Sequence, residues 1–486
     1  KIVIIMSDKV ILLNSNEVID VNPKLLNSDD VQYGEVGVNY HKDVETISTK
    51  NDNNVIAEFV PYTVYEEKIN EVTNEVFYEI DEPSGKTGDV WIYKIPPKPL
   101  QLEYTTTTAN EIVRLPLYGD VNVTVDWGDG STIQTVTSNN PTHEYSSIGA
   151  YTVQITGDFR QIFSGSTNIT KVLDWGDSNA LLNNLNNAFN GCVNLTEVVN
   201  DEYGLFVNVT NCERMFAGCT SLSSIPDKLF KYCSKSLRFR TTFYNCISLT
   251  SIPEGLFDEC VSAIDFHSVF ENCTNISSAI PDGLFDNCPD VLYFGNAFYG
   301  CSKLTGSIPN GLFKNNINAK TFNEAFRGDA NLSAIPEGML DNCTGATNLL
   351  YLFYNCSGLT GSIPSGLFKD CINVVNFQGV FYNCIKLNGS IPNGLFDNCV
   401  NAITFNNAFN TCSSLIGPLP SGLFDKCVNA TIFSYTFERC FALSGSIPNG
   451  FFKNNVNVTT FAGTFYNCTG LTGAIPNDLF DNNKNV

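Results

Sequence analysis

An apolar residue followed by proline recurs at Pro226, Pro253, Pro281, Pro309, Pro336, Pro364, Pro392, Pro420, Pro448 and Pro476, always 27 or 28 residues apart. A period this regular means stacked units: one unit cannot bury a hydrophobic face alone, but a row of neighbours can. Counted from each proline, Leu or Phe stands at +3 (Met339 once), Phe or Leu at +4, +13 and +17, and Leu or Ile at +23. Cysteine often stands at +7 and +20. Positions +13, +16, +17 and +20 follow the spacing i, i+3, i+4, i+7, which predicts one or two helical turns, as in "FNNAFNTC". The stretch from +23 to the next proline, as in "LTGSIP", reads as a short extended segment. The expectation for residues 225–486 is therefore an α/β solenoid of 27–28-residue coils, spaced about 5 Å apart if the extended segments pair as a parallel sheet. Each enclosed Phe would contribute roughly 1.5–3 kcal/mol.

The texture changes upstream. Residues 159–224 read as a transition with the first, atypical coils. Residues 100–158 carry "VTVDWGDGSTIQTV" and "HEYSSIGAYTVQITG", β-branched and polar residues in alternation broken by Gly turns, which predicts a small all-β module. Residues 1–99 are expected to be mainly β. The first hundred residues are acidic, with 18 Asp plus Glu, nine Lys and no Arg, and end in the linker-like "IPPKPL".

Charge excludes one class of partner. With 50 acidic against 28 basic residues, a net charge of -22 and no cluster of Lys and Arg, nucleic acid is not expected to bind. Membrane insertion is not expected either, because the longest apolar run near the start is "IVII".

Sites of chemistry are sparse. Three histidines, His41, His143 and His267, are spread over three regions, so zinc sites and Ser-His-Asp triads lack their raw material. No enzymatic activity, cofactor or metal is expected. "SGKTG" at 84–88 lacks the earlier glycine of a phosphate loop and reads as a turn. Asp126 and Asp129 in "DWGDG" lack the continuation of a calcium loop and read as turn formers, with His143 as a structural hydrogen-bonder.

The eighteen cysteines admit no complete pairing. Bridging +7 to +20 within each repeat gives seven pairs but strands Cys192, Cys212, Cys219 and Cys468. The repeat "GSIPNGLFKNNINAKTFNEAFRGDANLSAIP" has Asn316 and Asp329 in both cysteine slots and keeps its Phe and Leu. The cysteines accordingly read as core thiols packed as small hydrophobes. Slot +18 holds Tyr244, Glu271, Tyr299, Arg327, Tyr354, Tyr382, Asn410, Glu438 and Tyr466. A slot that tolerates charge faces solvent, so Tyr244, Tyr299, Tyr354, Tyr382 and Tyr466 are a candidate receptor-contact ridge. The alternative is that each Tyr covers the neighbouring coil's Phe.

Three resemblances sit on these residues. The array, with "AFNGCVNL", "TFYNCISLTSIP" and "LFYNCSGLTGSIP", resembles the BspA-type leucine-rich repeats of bacterial and phage surface proteins, with a longer unit. The "DWGDGS…HEYSSIGAYTV" region is similar to the PKD-type β-sandwich, and its echo "VLDWGDSNALLNNLNNAFNGC" is similar to the entry into the first coil of such proteins. The segment "LLNSDDVQYGEVGVNYHKDVETISTKNDNNVIAEF", 25–59, resembles the virion-proximal part of fibre proteins in tailed, crAss-like bacteriophages. Together they imply a non-enzymatic virion structural protein, a head or tail fibre. Residues 1–99 would contact other virion proteins, the sandwich would act as spacer, and the solenoid would engage a host cell-surface glycan or protein, in a homo-oligomer at the virion surface. The alternative they imply is a bacterial cell-surface adhesin.

Overall fold

The computed structural model describes residues 97–486, apart from 164, 178 and 180, and before them the backbone of eight strands. Of the fibre-like segment, residues 25–35, 42–43 and 50–55 lie outside the described residues, as does "SGKTG". The chain divides into two units, Lys1–Lys98 and Pro99–Val486.

In the first unit, β1 (Ile2–Met6), β2 (Lys9–Leu13), β6 (Thr63–Asn70), β7 (Glu75–Asp81) and β8 (Val90–Lys94) form a sheet in the order β2-β1-β8-β7-β6, with β1 and β8 parallel. β3 (Val36–His41), β4 (Val44–Thr49) and β5 (Ile56–Phe59) form an antiparallel three-stranded sheet.

The second unit opens on β9 (Leu100–Thr106), whose alternate residues are buried as its sequence alternation requires. β12 (Asn122–Asp126), β13 (Gln134–Val136) and β15 (Gly149–Asp158) join it, and two small sheets pair β10 (Glu111–Arg114) with β14 (Thr142–Tyr145) and β11 (Leu117–Tyr118) with β16 (Gln161–Ile162). The large sheet does not stop at residue 158. β17 (Ile169–Asp174) pairs with β9, and β18 (Glu197–Val198) pairs in parallel with β17. Buried Trp175 donates its indole N–H to the Val199 carbonyl at 2.8 Å and packs on Phe206 at 4.7 Å. The β module therefore caps the solenoid, covering a coil edge that would otherwise expose its core.

From there the coils stack. A parallel bridge at +12 links Asn211, Arg238, Asp265, Tyr293, Thr321, Asn348, Asn376, Thr404, Ile432 and Thr460 in one ladder. The residues that follow are not the expected helix. The amides of Phe239, Thr241, Phe243 and Asn245 donate to the carbonyls of Asp265, His267, Val269 and Glu271 in the next coil at 2.8–2.9 Å. The intervening amides of Thr242 and Tyr244 close turns onto Phe239 and Thr241, three residues back. An α-helix would need all of them for its own i−4 carbonyls.

Left-handed residues at +15 and +19 impose this switch. Asn296 and Asn407 occupy the first slot at φ 58°, and Asn355 and Asn383 the second at 61° and 58°; other coils use glycine, as at Gly300 and Gly379, or a larger residue held left-handed, as at Glu324, Tyr351 and Arg439. Two left-handed residues four apart cannot sit in a right-handed helix. The apolar spacing is real but belongs to a spiral of turns, so the solenoid is one of turns and bridges rather than α/β. Among the described residues the one helical element is the 3-10 turn Leu205–Asn208, at whose start the Asp201 carboxyl accepts from the amides of Tyr203, Gly204, Leu205 and Phe206. The expected extended segment near the proline is only lightly paired, through bonds such as Ser277 N–H to the Thr250 carbonyl and the Gly306 to Leu332 bridge.

Phenylalanines fill the interior in columns. At +17 the rings from Phe189 to Phe465 lie nearly parallel, with centroids 5.4–5.8 Å apart. Columns at +4 and +13 run beside it, as in Phe257 with Phe285 and Phe266 with Phe294, and meet one another edge-on or tilted.

Candidate functional site

Slot +18 lies between the buried Phe at +17 and the left-handed residue at +19; Asn410 is buried in it. Tyr244 and Tyr466 are exposed there, and Tyr299, Tyr354 and Tyr382 are half-buried. The last three, with Arg327, occupy four consecutive coils and form one stack. The Arg327 guanidinium lies 4.6 Å from the Tyr354 ring and 5.3 Å from that of Tyr299, and the Tyr354 and Tyr382 rings are 4.5 Å apart and within 9° of parallel. Tyr354 and Tyr382 thus stack on each other, and Tyr299 joins them through Arg327. Tyr244 and Tyr466 stand apart from this stack, separated from it by coils that carry Glu271, Asn410 and Glu438 in the slot.

Two members were not visible in the sequence. Tyr351 at +15 meets Tyr354 edge-on at 5.0 Å and accepts a 2.6 Å hydrogen bond from the Gln378 amide. It is itself left-handed, at φ 55°, and its ring lies where a side chain on Gly379 would have to go, 2.4 Å from the position of a Cβ there. A glycine one coil later in the same slot is the signal that could have found it. Glu324 accepts from Arg327 at 2.7 Å. Burial alone would lower the Arg327 pKa, but this bond and the charge of Glu324 hold it above its usual value. Burial first, and Tyr354 second, push the Tyr382 phenol up. The cluster is therefore a cation paired with Glu324 and held against tyrosine rings.

The "DWGDG" carboxylates are held in turns. Asp126 accepts from the Gly128 amide at 2.9 Å and Asp129 from that of Ser131 at 3.0 Å. His143 reaches Asp129 at 2.7 Å and stacks on Trp127 at 4.6 Å. Burial would raise the Asp129 pKa, yet the Ser131 and His143 hydrogen bonds outweigh it and bring it to about 2. The echo repeats the device, with Asp174 accepting from Gly176 at 2.8 Å. His267 lies in the coils, where burial first and Arg240 second lower it to about 4. The third histidine, His41, is in β3, and its side chain lies outside the described residues.

All eighteen cysteines are buried, unbridged thiols. Those at +20 donate S–H to the carbonyl of the +17 Phe one coil earlier, as in Cys246 to Phe216 at 3.1 Å and Cys412 to Phe381 at 2.9 Å. Those at +7 face the +4 Phe carbonyl, as in Cys288 to Phe257 at 3.5 Å. Asn316 keeps a donor in that slot, reaching the Cys288 carbonyl at 2.7 Å, and Asn455 does the same to Cys427 at 2.9 Å. Burial pushes the Cys273 and Cys343 thiols up to about 12. Since the thiolate is the reactive form, iodoacetamide at pH 8 is expected to leave the native chain unlabelled and to label all eighteen sites in denaturant without reductant. Rapid native labelling, or fewer than eighteen labels after unfolding, would contradict this placement.

The model of the family described as "Mycoplasma protein of unknown function, DUF285" matches residues 132–255 and 347–477, more than half of the chain. The chain belongs to the DUF285 family. The first DUF285 match begins inside the β module and runs into the coils, and residues 256–346, which hold Asn316 and Asp329, lie between the two matches. A leucine rich cell surface protein from Faecalibacterium prausnitzii, a solved structure, aligns at 13% identity over 76% of this chain and 98% of its own, with a TM-score of 0.22. No curated protein matches. The periodic Leu and Phe slots and the coil stack make this a protein built of stacked repeats.

Proposed function

We propose that the chain is a non-enzymatic recognition protein displayed at a bacterial cell surface, with the β-capped solenoid as scaffold and the stack from Tyr299 to Tyr382 as its ligand-facing element. The observation that carries this reading is that the stack is not needed for the coils to close. Coils with Asn410 or Glu438 in slot +18 keep the same Phe columns and the same coil-to-coil hydrogen bonds. Aromatic and Arg side chains held in place before binding lose little entropy when a partner arrives, and such residues dominate binding energetics. The partner is a glycan or protein of another cell. Display on a cell, rather than on a virus particle, is favoured by the bacterial family to which the chain belongs.

A second reading, a phage fibre held to the virion through residues 1–99, is favoured by the likeness of residues 25–59 to fibre proteins. Gold-labelled antibody against the solenoid separates the two. Label on intact producing cells supports the first reading, and label confined to purified particles that copurify with capsid or tail proteins supports the second and sinks the first. Loss of polymer length when the protein is incubated with host surface glycans would sink the non-enzymatic assignment in either case.

A further inference from the structure

The ring-over-glycine device at Tyr351 occurs a second time. Three coils later Tyr435, Gly463 and Tyr466 stand where Tyr351, Gly379 and Tyr382 stand, and the Tyr435 ring lies 2.4 Å from the position of a Cβ on Gly463. Tyr435 is left-handed at φ 57°, as Tyr351 is at 55°. A bulky side chain in that conformation is strained, and strain of this kind gathers at binding sites. The coil does not require it, because Asn296 and Asn407 fill the same slot. Tyr435 is 42% and Tyr466 60% exposed, whereas Tyr351 and Tyr382 are half-buried, so the second platform is the more open of the two.

The surface around both platforms is polar, and the charges at their edges are paired. The coil between them presents Thr404, Asn406, Asn407 and Thr411, all half-buried. Asn410 donates to the Glu438 carboxylate at 2.8 Å, and Glu438 also lies 3.7 Å from the Arg439 guanidinium. Arg327, at the edge of the first platform, is paired with Glu324 at 2.7 Å. In slots +12, +14, +15, +18 and +19 of the five coils from Pro336 to Pro448, Glu438 and Arg439 are the only charged residues. The same slots of the coils at Pro226 and Pro253 hold Arg238, Arg240, Asp265 and Glu271.

Taking the ridge as the ligand-facing element, a reading on which this inference rests, we propose that the face from Tyr351 to Tyr466 binds a linear, uncharged polysaccharide. One sugar ring lies on each platform, and the sugars between them cross the coil of Asn406 and Asn407. A sugar ring has a C–H face, which is matched by a flat apolar surface such as a tyrosine ring, and a rim of hydroxyls, which exchange hydrogen bonds with amides and hydroxyls. This face supplies both. An ionic polymer would meet Arg and Glu side chains that are already paired, and would give up its own hydration for no counter-charge. A protein partner anchors large side chains in pockets ringed by contacts that exclude water. These platforms are instead open and bordered by amides and hydroxyls. The repetition points the same way. A step of three coils, about 15 Å at about 5 Å per coil, presents the same group twice along one line. A polymer of one repeated unit can occupy both platforms at once, and doing so raises its affinity above that of a short fragment.

Native electrophoresis of the full chain through gels containing dissolved polysaccharide tests this. The probes are a galactomannan, a mixed-linkage β-glucan, a dextran and a soluble α-glucan, with polygalacturonate and heparin as charged counterparts. The expected result is retardation by at least one uncharged polymer that added salt does not weaken. Its dissociation constant should rise at least about tenfold in Tyr435→Asn/Tyr466→Asn. The same slots already hold Asn407 and Asn410, so an unchanged melting temperature is expected. Tyr466→Ser alone, at the more exposed ring, should lose several-fold and serves if the double variant does not fold. No retardation by any of the uncharged polymers overturns the proposal, as does retardation by the charged polymers alone or retardation undiminished in the variants. If the polymers fail while cell binding still falls in Tyr299→Ser/Tyr354→Ser/Tyr382→Ser, the ridge stands and the polysaccharide is removed. Cell binding that survives that variant removes the ridge itself.

Discussion

Asp329→Cys is expected to stabilise the solenoid at neutral pH and to remove most of its loss of stability with rising pH. Asp329 occupies the +20 slot, where thiols elsewhere donate to the preceding Phe carbonyl, but its side chain is fully buried and neither oxygen has a hydrogen-bond partner. By register the acceptor it faces is the Phe298 carbonyl, and its titratable neighbours in the column are Cys301 and Cys356, both neutral thiols. Burial therefore drives its pKa well above the ordinary 3.8. An acid whose folded pKa lies above its unfolded one is stabilised by the fold only in its protonated form. That contribution is fully present below pH 3.8 and is lost as pH rises from there through the raised folded value. A thiol at 329 restores the S–H donor and carries no charge, which should return about 1–3 kcal/mol at neutral pH. Asp329→Asn, which supplies a donor as Asn316 does, should recover part of this. Urea midpoints at pH 4.5 and 8 check it: the wild-type midpoint should fall across that interval far more than that of Asp329→Cys, and equal slopes would refute the placement.

Phe298→Ala carries the second large effect. Its ring is fully buried between Phe270 at 5.8 Å and Phe326 at 5.6 Å, with Phe285 tilted against it at 6.3 Å. Removing it should cost about 3–5 kcal/mol, because a cavity flanked by stacked rings cannot collapse without breaking the column. A solenoid is held by nearest-neighbour contacts, so the loss should divide the array into separately melting parts on either side of that coil. Phe480→Ala, at a ring that is 48% exposed, should cost far less. Calorimetry of the two variants decides it, and equal costs would contradict the columns.

The stack itself was legible in the sequence, because the period and the repeating Phe slots demand burial between neighbours. The thiols were legible through the repeat that lacks them: keeping every Phe while losing both cysteines marks those slots as replaceable. The helix was not there to be found. Spacing at +13, +16, +17 and +20 reports which residues face inward, not how the backbone brings them there, and the deciding signal was the Asn or Gly recurring at +19. The ridge was half legible. Its slot was clear from the charges it tolerates, but Tyr351 and its space above Gly379 depend on contacts between coils that one repeat does not reveal.

The most direct test of the ridge as the recognition surface is binding of the fluorescent full chain to a panel of intact bacterial and epithelial cells. It should be compared with a Tyr299→Ser/Tyr354→Ser/Tyr382→Ser variant of unchanged melting temperature. The expected result is saturable binding to at least one cell type that falls at least about tenfold in the variant, a loss of 1.4 kcal/mol or more. Binding that survives unchanged without the three tyrosines would contradict the account.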